Sequence, residues 1–337
     1  MTFTAPELRG KAPDLMANNA LTIWCSGSWN ESAKELLERE RGEHRVLWAA
    51  DAASDEQKQA WLNDSDVVLG QIKPETILSS PQLKWIHVTS AGYTPYDRDD
   101  VKNALAERDG VLTNSSHVYD EPCAQHVVAM MLALSRGLLD AFQTQRDDQS
   151  WEEARRHINA HLLNERNVLL LGYGAIAQRI VELLAPFEIN VVAFRRTPRG
   201  DENVRVVGED AIENELNNAD HVINVLPESD STRGIVGSEW FSRMKRGARF
   251  YNVGRGATVD QDALLEVLRS GQLGAAYLDV TTPEPLPADH PLWSAPNCFI
   301  TPHVAGSHTT NDVRSIRHFL QHLRAFESGE PLPDRVF

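Results

Sequence analysis

The segment Asn167–Ala177 constrains the fold more than any other part of the chain; it reads N-V-L-L-L-G-Y-G-A-I-A. An apolar run long enough for one buried parallel strand ends at Gly172, and Gly174 and Ala177 follow in the spacing G-x-G-x-x-A. In a strand–turn–helix unit the first glycine permits the tight turn, the second lets the backbone approach a pyrophosphate, and the small third residue lets helix and strand pack closely. The helix N-terminus adds unpaired N–H groups and the positive end of a dipole. The segment therefore predicts a dinucleotide site in a doubly wound α/β domain.

The residues after the next predicted strand, Asn190–Phe194, indicate which dinucleotide binds. An Asp or Glu about twenty residues beyond the glycines would hydrogen-bond the adenosine ribose of NAD. This chain has Arg195 and Arg196 at that position, with no acid before Asp201. Because a guanidinium matches the acceptor geometry of a phosphate, the arginines favour the 2′-phosphate of NADP(H). A solvated basic turn is the alternative interpretation, so NADP(H) is the preferred cofactor and NAD(H) remains possible.

Net charge and cysteine content limit the partners and the compartment. The formal net charge of −15 and the pI near 5.2 argue against nucleic acid, but not against a small anionic substrate held by a local arginine cluster. Cys25, Cys123 and Cys298 show no C-x-x-C spacing, as expected for reduced thiols. Residues 1–19 lack the apolar core of a signal peptide, and the most apolar segment, Val127–Leu134, is too short to span a bilayer. We expect a cytoplasmic protein without a membrane partner.

Strand-like and helix-like patterns alternate in both halves of the chain. Short apolar runs alternate with helical patterns from Leu21 to Asn114 and again after the glycine segment, which predicts parallel sheets with crossover helices. Between them a helix is predicted over Tyr119–Leu139, with Asp120 as its N-cap. This helix is apolar around most of its circumference, and its own domain can cover only part of that surface. We therefore expect a homodimer.

Two pairs of histidines, His157/His161 and His318/His322, have the i, i+4 spacing of metal ligands on one helix face. Neither an H-E-x-x-H motif nor a convergent third ligand is evident in the sequence. We interpret both pairs as solvated helix faces and predict no metal site.

Three predicted strands of the second half end in residues that suit the reduction of a carbonyl. Arg255 follows one strand between two glycines, Asp279 and Glu284 follow another in a proline-rich loop, and His303 follows a third. The carboxyl ends of parallel strands lie at the same edge as the glycine turn, so these side chains can converge on one cleft. An arginine can bind an anion, a histidine can donate a proton, and a carboxylate can keep that histidine cationic. Taken singly, each residue is better explained by a salt bridge or a capped turn.

The motifs around these residues resemble those of the D-isomer-specific 2-hydroxyacid dehydrogenases, in particular the glyoxylate/hydroxypyruvate reductases. They are N-V-G-R-G-A-x-V-D-x-x-A-L over Asn252–Leu264, L-D-V-x-x-P-E-P-L-P with H-P-L-W over Leu278–Trp293, and T-P-H-V-A-G over Thr301–Gly306. L-P-E-S-D-S-T-R-G at Leu226–Gly234 resembles the family's cofactor-flanking loop, and T-S-A-G-Y at Thr89–Tyr93 its substrate-carboxylate loop. The resemblance covers nearly the whole chain from Leu21 and implies two Rossmann-like domains.

The resemblance implies a role for each matching residue. His303 would protonate the substrate oxygen during reduction, and Glu284 would hydrogen-bond His303 and favour its cationic form. Arg255 would bind the substrate carboxylate and keto oxygen. The loop residues implied to assist it through their amides are Ser90, Ala91 and Gly92. The residues implied at the cofactor are Gly172, Tyr173, Gly174, Ala175, Ile176, Arg195, Arg196, Leu226, Pro227, Val253, Gly254, Arg255, Asp279, His303 and Ala305.

The resemblance also implies a discontinuous, flavodoxin-like substrate domain of residues 1–117 plus 305–337, and a Rossmann NADP-binding domain of residues 118–304. The implied reaction is NADPH-dependent reduction of a small anionic 2-keto acid to the D-2-hydroxy acid. An NAD-linked dehydrogenase of the same family is the enzymatic alternative, and a nicotinamide-sensing scaffold of the corepressor kind is the alternative from another class. The intact set of Arg255, Glu284 and His303 argues against a pure sensor, which needs no proton donor.

Overall fold

The computed structural model describes residues 20–147, 149, 151 and 160–337. Within them the chain divides into two compact units, one formed by the residues up to Tyr119 together with His308–Phe337, the other by Asp120–Ser307. Each unit contains a parallel sheet, so the predicted α/β class is confirmed. His157, one of the histidines considered above as a metal ligand, lies outside the described residues.

The first unit has a five-stranded parallel sheet in the order β2-β1-β3-β4-β5, which is the flavodoxin-like order. Its strands are β1 (Thr22–Cys25), β2 (Arg45–Trp48), β3 (Val67–Leu69), β4 (Trp85–His87) and β5 (Val111–Thr113). Its helices are α1 (Glu31–Glu40), α2 (Asp55–Asn63), α3 (Pro74–Ser79), α4 (Asp99–Ala106) and the C-terminal α11 (Asn311–Ser328).

Both faces of this first sheet are buried, which explains why its strands read as continuous apolar runs rather than alternating ones. Val67 and Leu69 of β3 pack into one core cluster with Phe319 of α11. Val68, between them in sequence, points to the opposite face and packs into a second cluster with Ile77 of α3.

The second unit has a seven-stranded parallel sheet in the order β12-β11-β10-β9-β6-β7-β8. Its strands are β6 (Asn167–Leu171), β7 (Asn190–Phe194), β8 (Arg205–Val207), β9 (His221–Asn224), β10 (Arg249–Asn252), β11 (Ala275–Leu278) and β12 (Cys298–Ile300). The helices after β6 are α7 (Ala175–Leu184), α8 (Ile212–Asn218), α9 (Ser238–Arg243) and α10 (Gln261–Arg269). The strand order reverses direction between β6 and β9. In doubly wound sheets a ligand binds in the crevice at the carboxyl ends of such a pair.

The long apolar helix α5 spans Ser116–Ser135, so its predicted start at Asp120 is wrong. Pro122 therefore lies inside the helix, where it lacks the N–H that would bond the carbonyl of Val118. That carbonyl instead accepts a hydrogen bond of 2.8 Å from Nε of Arg314, whose Nη2 also donates to the carbonyl of His117. A side chain distant in sequence thus satisfies the backbone group that the proline leaves open, and this contact cannot be read from local sequence.

A second helix, α6 (Leu138–Asp147), follows α5 after Gly137, which has a φ of +62°. Among the described helices no single one is long and apolar enough to cross a membrane, although α5 and α6 meet that criterion as a pair bent by 66°.

The solvated face predicted for His318 and His322 on α11 is also wrong, because their relative exposures are 7% and 0%. Their rings contact one another and the buried ring of His87 on β4. His318 Nε2 pairs with the Asp334 carboxylate at 2.9 Å, and both nitrogens of His322 lie against the carbonyls of His318 and Pro333. The i, i+4 spacing does place both histidines on one face, but that face packs against the sheet.

Candidate active site

The glycine turn after β6 has the geometry expected of a pyrophosphate site. Gly172 has a φ of +104°, a conformation that favours glycine, and a Cβ there would make a tight contact of 3.3 Å with Val225. Gly174 caps α7 without a side-chain hydrogen bond, and a Cβ on it would meet nothing within 4 Å. The uncapped helix N-terminus therefore opens onto space at the β6–β9 crevice, which fits a bound dinucleotide.

Arg195 and Arg196, which follow β7, have different hydrogen-bond partners. Arg195 Nη1 lies 3.2 Å from the carboxylate of Glu202, whose side chain is 5% exposed. Glu202 also accepts the N–H groups of Arg199 and Gly200, and these backbone hydrogen bonds hold the pKa of Glu202 below its ordinary value. Arg196 is exposed and donates to the hydroxyl of Ser231 at 2.9 Å. Of Arg195 and Arg196, only Arg196 has no carboxylate partner among the described residues.

The ends of β9 and β10 are tied together by two asparagines that the sequence did not single out. Asn224 donates to the Asn252 side-chain oxygen at 3.1 Å, and each side chain accepts the N–H two residues further on, of Leu226 and Gly254 respectively. A Cβ on Gly254 would lie 2.7 Å from the carbonyl of Leu226, so only glycine fits at this crossing. The strand ends that the resemblance assigns to the cofactor are therefore held in one fixed arrangement.

Arg255 follows this crossing, and its backbone is well anchored. Its carbonyl accepts hydrogen bonds from Asn252 Nδ2 at 3.2 Å and from Thr258 Oγ1 at 2.7 Å. Its half-buried guanidinium donates to the carbonyl of Gly254, and no carboxylate among the described residues forms an ion pair with it. A fixed backbone and an uncompensated guanidinium suit the binding of a substrate carboxylate.

His303 and Glu284 form the pair that the family resemblance implies. His303 Nδ1 lies 2.7 Å from Oε2 of Glu284, and the other carboxylate oxygen accepts the N–H of Thr281 at 3.0 Å. Since a carboxylate can only accept, Nδ1 carries the hydrogen of this bond. Nε2 has no hydrogen-bond partner within the described part of the chain. The histidine side chain is 53% exposed, so Nε2 is the nitrogen available to a ligand.

Asp279 holds the turn that carries His303. Its carboxylate, 3% exposed, accepts hydrogen bonds of 2.9 Å from the N–H groups of Val304 and Ala305 and one of 2.5 Å from Thr301 Oγ1. His303 itself has a φ of +53°, a conformation unfavourable for a residue with a Cβ, and its N–H donates to the Asp279 carbonyl. The carboxylate that the resemblance places at the cofactor thus accepts three hydrogen bonds from the turn that carries His303.

A directed chain of hydrogen bonds ends at Asp279. Because the carboxylate only accepts, Thr301 must donate to it, and Tyr277 must then donate to Thr301 across 2.5 Å. The Tyr277 oxygen is left to accept from Nε2 of His126 on α5, at 2.6 Å. Burial raises the pKa of Tyr277, so its hydroxyl remains protonated and can serve as this donor. His126, Tyr277 and Thr301 therefore position Asp279, a role that sequence spacing did not indicate.

The predicted carboxylate loop lies in the first unit and follows β4. The carbonyl of Ala91 accepts from Asn114 Nδ2 at 2.8 Å, and the Ser90 hydroxyl bonds to the Gly92 carbonyl and to Gln71. In contrast, no hydrogen-bond acceptor for the N–H groups of Ser90, Ala91 or Gly92 is present in the described structure. Backbone donors fixed in place but unpaired are what an anion-binding loop requires.

The comparisons with known proteins place this arrangement in a family. Residues 128–305 match the model of the D-isomer specific 2-hydroxyacid dehydrogenase, NAD binding domain. A human glyoxylate reductase/hydroxypyruvate reductase is 31% identical over 259 residues, covering 75% of this chain and 77% of its own length.

Two solved structures are similar over nearly the whole chain. A D-isomer specific 2-hydroxyacid dehydrogenase from Xanthobacter autotrophicus Py2, in complex with NADPH and MES, has a TM-score of 0.78 and 26% identity, covering 95% of this chain and 98% of its own. An NADPH-dependent glyoxylate/hydroxypyruvate reductase from Sinorhizobium meliloti, in complex with NADP and sulfate, has a TM-score of 0.76 and 25% identity, covering 94% and 98%. The chain therefore belongs to the D-isomer-specific 2-hydroxyacid dehydrogenase family and is an oxidoreductase that uses a nicotinamide cofactor on a small keto or hydroxy acid.

Proposed function

We propose that this protein reduces a small 2-keto acid of the glyoxylate or hydroxypyruvate type to the D-2-hydroxy acid, with NADPH as reductant and His303 as proton donor. The observation that carries the proposal is the 2.7 Å pairing of His303 Nδ1 with Glu284, which leaves Nε2 available to deliver a proton. The names of the relatives, glyoxylate reductase/hydroxypyruvate reductase among them, support this substrate class.

The residues of the chain perform the acid and binding steps. When bound, the reduced nicotinamide supplies a hydride for the carbonyl carbon. As negative charge develops on the keto oxygen, the cationic His303 donates its Nε2 proton to that oxygen, while Glu284 stabilises the imidazolium through Nδ1. Arg255 binds the substrate carboxylate, and the unpaired amides after β4 are a separate proposed carboxylate contact. The neutral His303 is then reprotonated from solvent, to which it is partly exposed.

The NADPH preference rests on the residues after β7. The exposed guanidinium of Arg196 and the hydroxyl of Ser231 lie 2.9 Å apart, and together they offer a phosphate both charge and a hydrogen-bond donor. Arg195, held by Glu202, contributes less net charge. The two similar structures in complex with NADP(H) agree with this preference.

Oxidation of NADPH in the presence of a panel of 2-keto acids tests the proposed function. We expect glyoxylate or hydroxypyruvate to give the highest kcat/KM, above pyruvate and phenylpyruvate, and the product of hydroxypyruvate, which unlike glycolate is chiral, to have the D configuration. His303→Ala should lower kcat by about 10²- to 10⁴-fold, the usual contribution of a general acid, with little change in NADPH affinity. If NADPH binds but no 2-keto acid is reduced, the nicotinamide-sensing alternative is favoured instead.

We also propose that the chain forms a homodimer through α5 and α6. Leu138 and Phe142 of α6 are 43% and 60% exposed, and Leu162 and Trp151 are 59% and 82% exposed. Large apolar side chains this exposed in one stretch of sequence are typical of an interface. Sedimentation at micromolar concentration should show twice the chain mass of 37.7 kDa, and a species of the chain mass alone would contradict the proposal.

A further inference from the structure

We propose that the second unit carries another anion site, far from the glycine turn, for a small multivalent phosphate-bearing anion. The site is a cavity of about 210 Å³ lined by His161, Arg166, Asp220, Lys245, Arg246 and Arg249, together with Gly247 and Ala248. We call it the basic cavity. The described residues contribute four cationic side chains and one carboxylate to its lining, in a chain whose formal net charge is −15.

The basic cavity lies at the amino-terminal edge of the seven-stranded sheet. Arg249 is the first residue of β10, Asp220 directly precedes β9, and Arg166 directly precedes β6. The glycine turn, Arg255 and His303 all follow the carboxyl ends of strands in the same sheet. A ligand in the basic cavity would therefore use none of the residues assigned to the cofactor or the substrate.

The guanidinium of Arg249 has no anionic partner among the described residues. Its Nη1 and Nη2 lie 2.8 and 3.3 Å from the two ring nitrogens of His161. A neutral imidazole has one acceptor nitrogen, so at most one of these contacts is a hydrogen bond. The guanidinium is half-buried, and burial lowers the pKa of Arg249. No carboxylate of the described residues forms an ion pair with it.

Asp220, the one carboxylate that the described residues contribute to the lining, does not neutralise the cluster. Asp220 already accepts the N–H of Asn167 at 3.0 Å and Nζ of Lys245 at 2.7 Å, and Arg166 approaches it only to 3.9 Å. Arg246 is exposed and forms no ion pair within the described residues. Two guanidinium groups without a carboxylate, next to a lysine, match the several oxygens of a phosphate group better than they match a single carboxylate.

Calorimetric titration with sodium pyrophosphate tests the inference. The full chain is saturated with NADPH so that the glycine turn is occupied, and potassium chloride at matched ionic strength measures the non-specific contribution. We expect one pyrophosphate per chain. Arg246→Gln and Arg249→Gln should each weaken the affinity by roughly tenfold or more, because each removes a charge-assisted hydrogen-bond donor. Arg269→Gln, which removes the same charge from an exposed position of α10 outside the cavity, should leave the affinity unchanged.

Inorganic phosphate, titrated in the same way, should bind more weakly than pyrophosphate if several cations act together. The inference is overturned if pyrophosphate does not bind above the chloride control, or if it binds Arg246→Gln and Arg249→Gln as tightly as the native protein. Because Arg246 is exposed, Arg246→Gln should fold normally and can decide the test even if Arg249→Gln, at a half-buried position, folds poorly.

Discussion

Replacing Asp279 by asparagine separates two roles that this acid could have. The resemblance places Asp279 at the cofactor, whereas in the structure its carboxylate accepts hydrogen bonds from Val304, Ala305 and Thr301. An asparagine has the same shape but only one accepting terminal atom, so its NH₂ group must oppose a donor of the turn. Hydrogen bonds to charged groups contribute about 1.5–3 kcal/mol each. We therefore expect Asp279→Asn to lower the free energy of unfolding by about 2–4 kcal/mol.

The effect on turnover should exceed the effect on cofactor binding. The turn that Asp279 holds contains His303 in a left-handed conformation, so loosening it displaces the proton donor. We expect kcat for 2-keto acid reduction to fall by about 10²-fold or more, within the range that a general acid contributes. The dissociation constant of NADPH, measured by fluorescence titration, should change only slightly.

Asp262→Asn, at an exposed position of α10, serves as the matched control for the change of charge and should alter neither kcat nor the dissociation constant of NADPH. A large loss of NADPH affinity with turnover nearly preserved would refute the reasoning, because it would make Asp279 a cofactor contact rather than the anchor of the turn.

Three further perturbations follow from the described contacts. Glu202→Gln frees Arg195 and should raise the ratio of kcat/KM for NADPH over NADH several-fold, and an unchanged ratio would show that this carboxylate does not tune cofactor choice. Tyr277→Phe interrupts the donor chain to Asp279 and should lower kcat while leaving the KM for NADPH close to native; a native kcat would show that the chain is not needed to position the turn. Burial alone would raise the pKa of Asp334, but hydrogen bonds from His117 and His318 outweigh it and hold that pKa below its ordinary value. Asp334 therefore stabilises the fold at pH values above the ordinary aspartate pKa, and this contribution is lost as pH falls below about 4. Asp334→Asn should lower the free energy of unfolding by about 2 kcal/mol at pH 7 and make the acid unfolding curve less steep. An acid unfolding curve as steep as that of the native protein would contradict this prediction.

Residues whose role depends on local sequence could be predicted. The strand β7 has the predicted bounds, Asn190–Phe194, because a buried parallel strand is an uninterrupted apolar run closed by turn residues. The glycine turn, and the convergence of Arg255, Glu284 and His303 on one cleft, could be predicted for a related reason, since the carboxyl ends of parallel strands share one edge of the sheet. The pairing of His303 with Glu284 is implied by the family resemblance.

Residues whose role depends on distant contacts could not be predicted. Glu202 is beyond the position where an acid contacts the ribose, and only the folded loop brings its carboxylate back to Arg195. In the sequence Tyr277 is simply one residue of a buried strand, although its hydroxyl bonds both to His126 of α5 and to Thr301. The start of α5 could not be predicted because a proline normally marks the first turn of a helix, whereas here Arg314 donates the hydrogen bond that Pro122 cannot.

The pH dependence of reduction in the native protein and in Glu284→Gln tests the central claim most directly. Glutamine keeps the shape of the side chain but removes the charge that favours the cationic His303. With saturating NADPH and 2-keto acid, kcat should be highest at low pH and decline as pH rises, and in Glu284→Gln this decline should begin at a lower pH. Cofactor affinity should stay close to native. Superimposable pH profiles for the two proteins would contradict the account, because they would show that the carboxylate of Glu284 does not govern the proton donor.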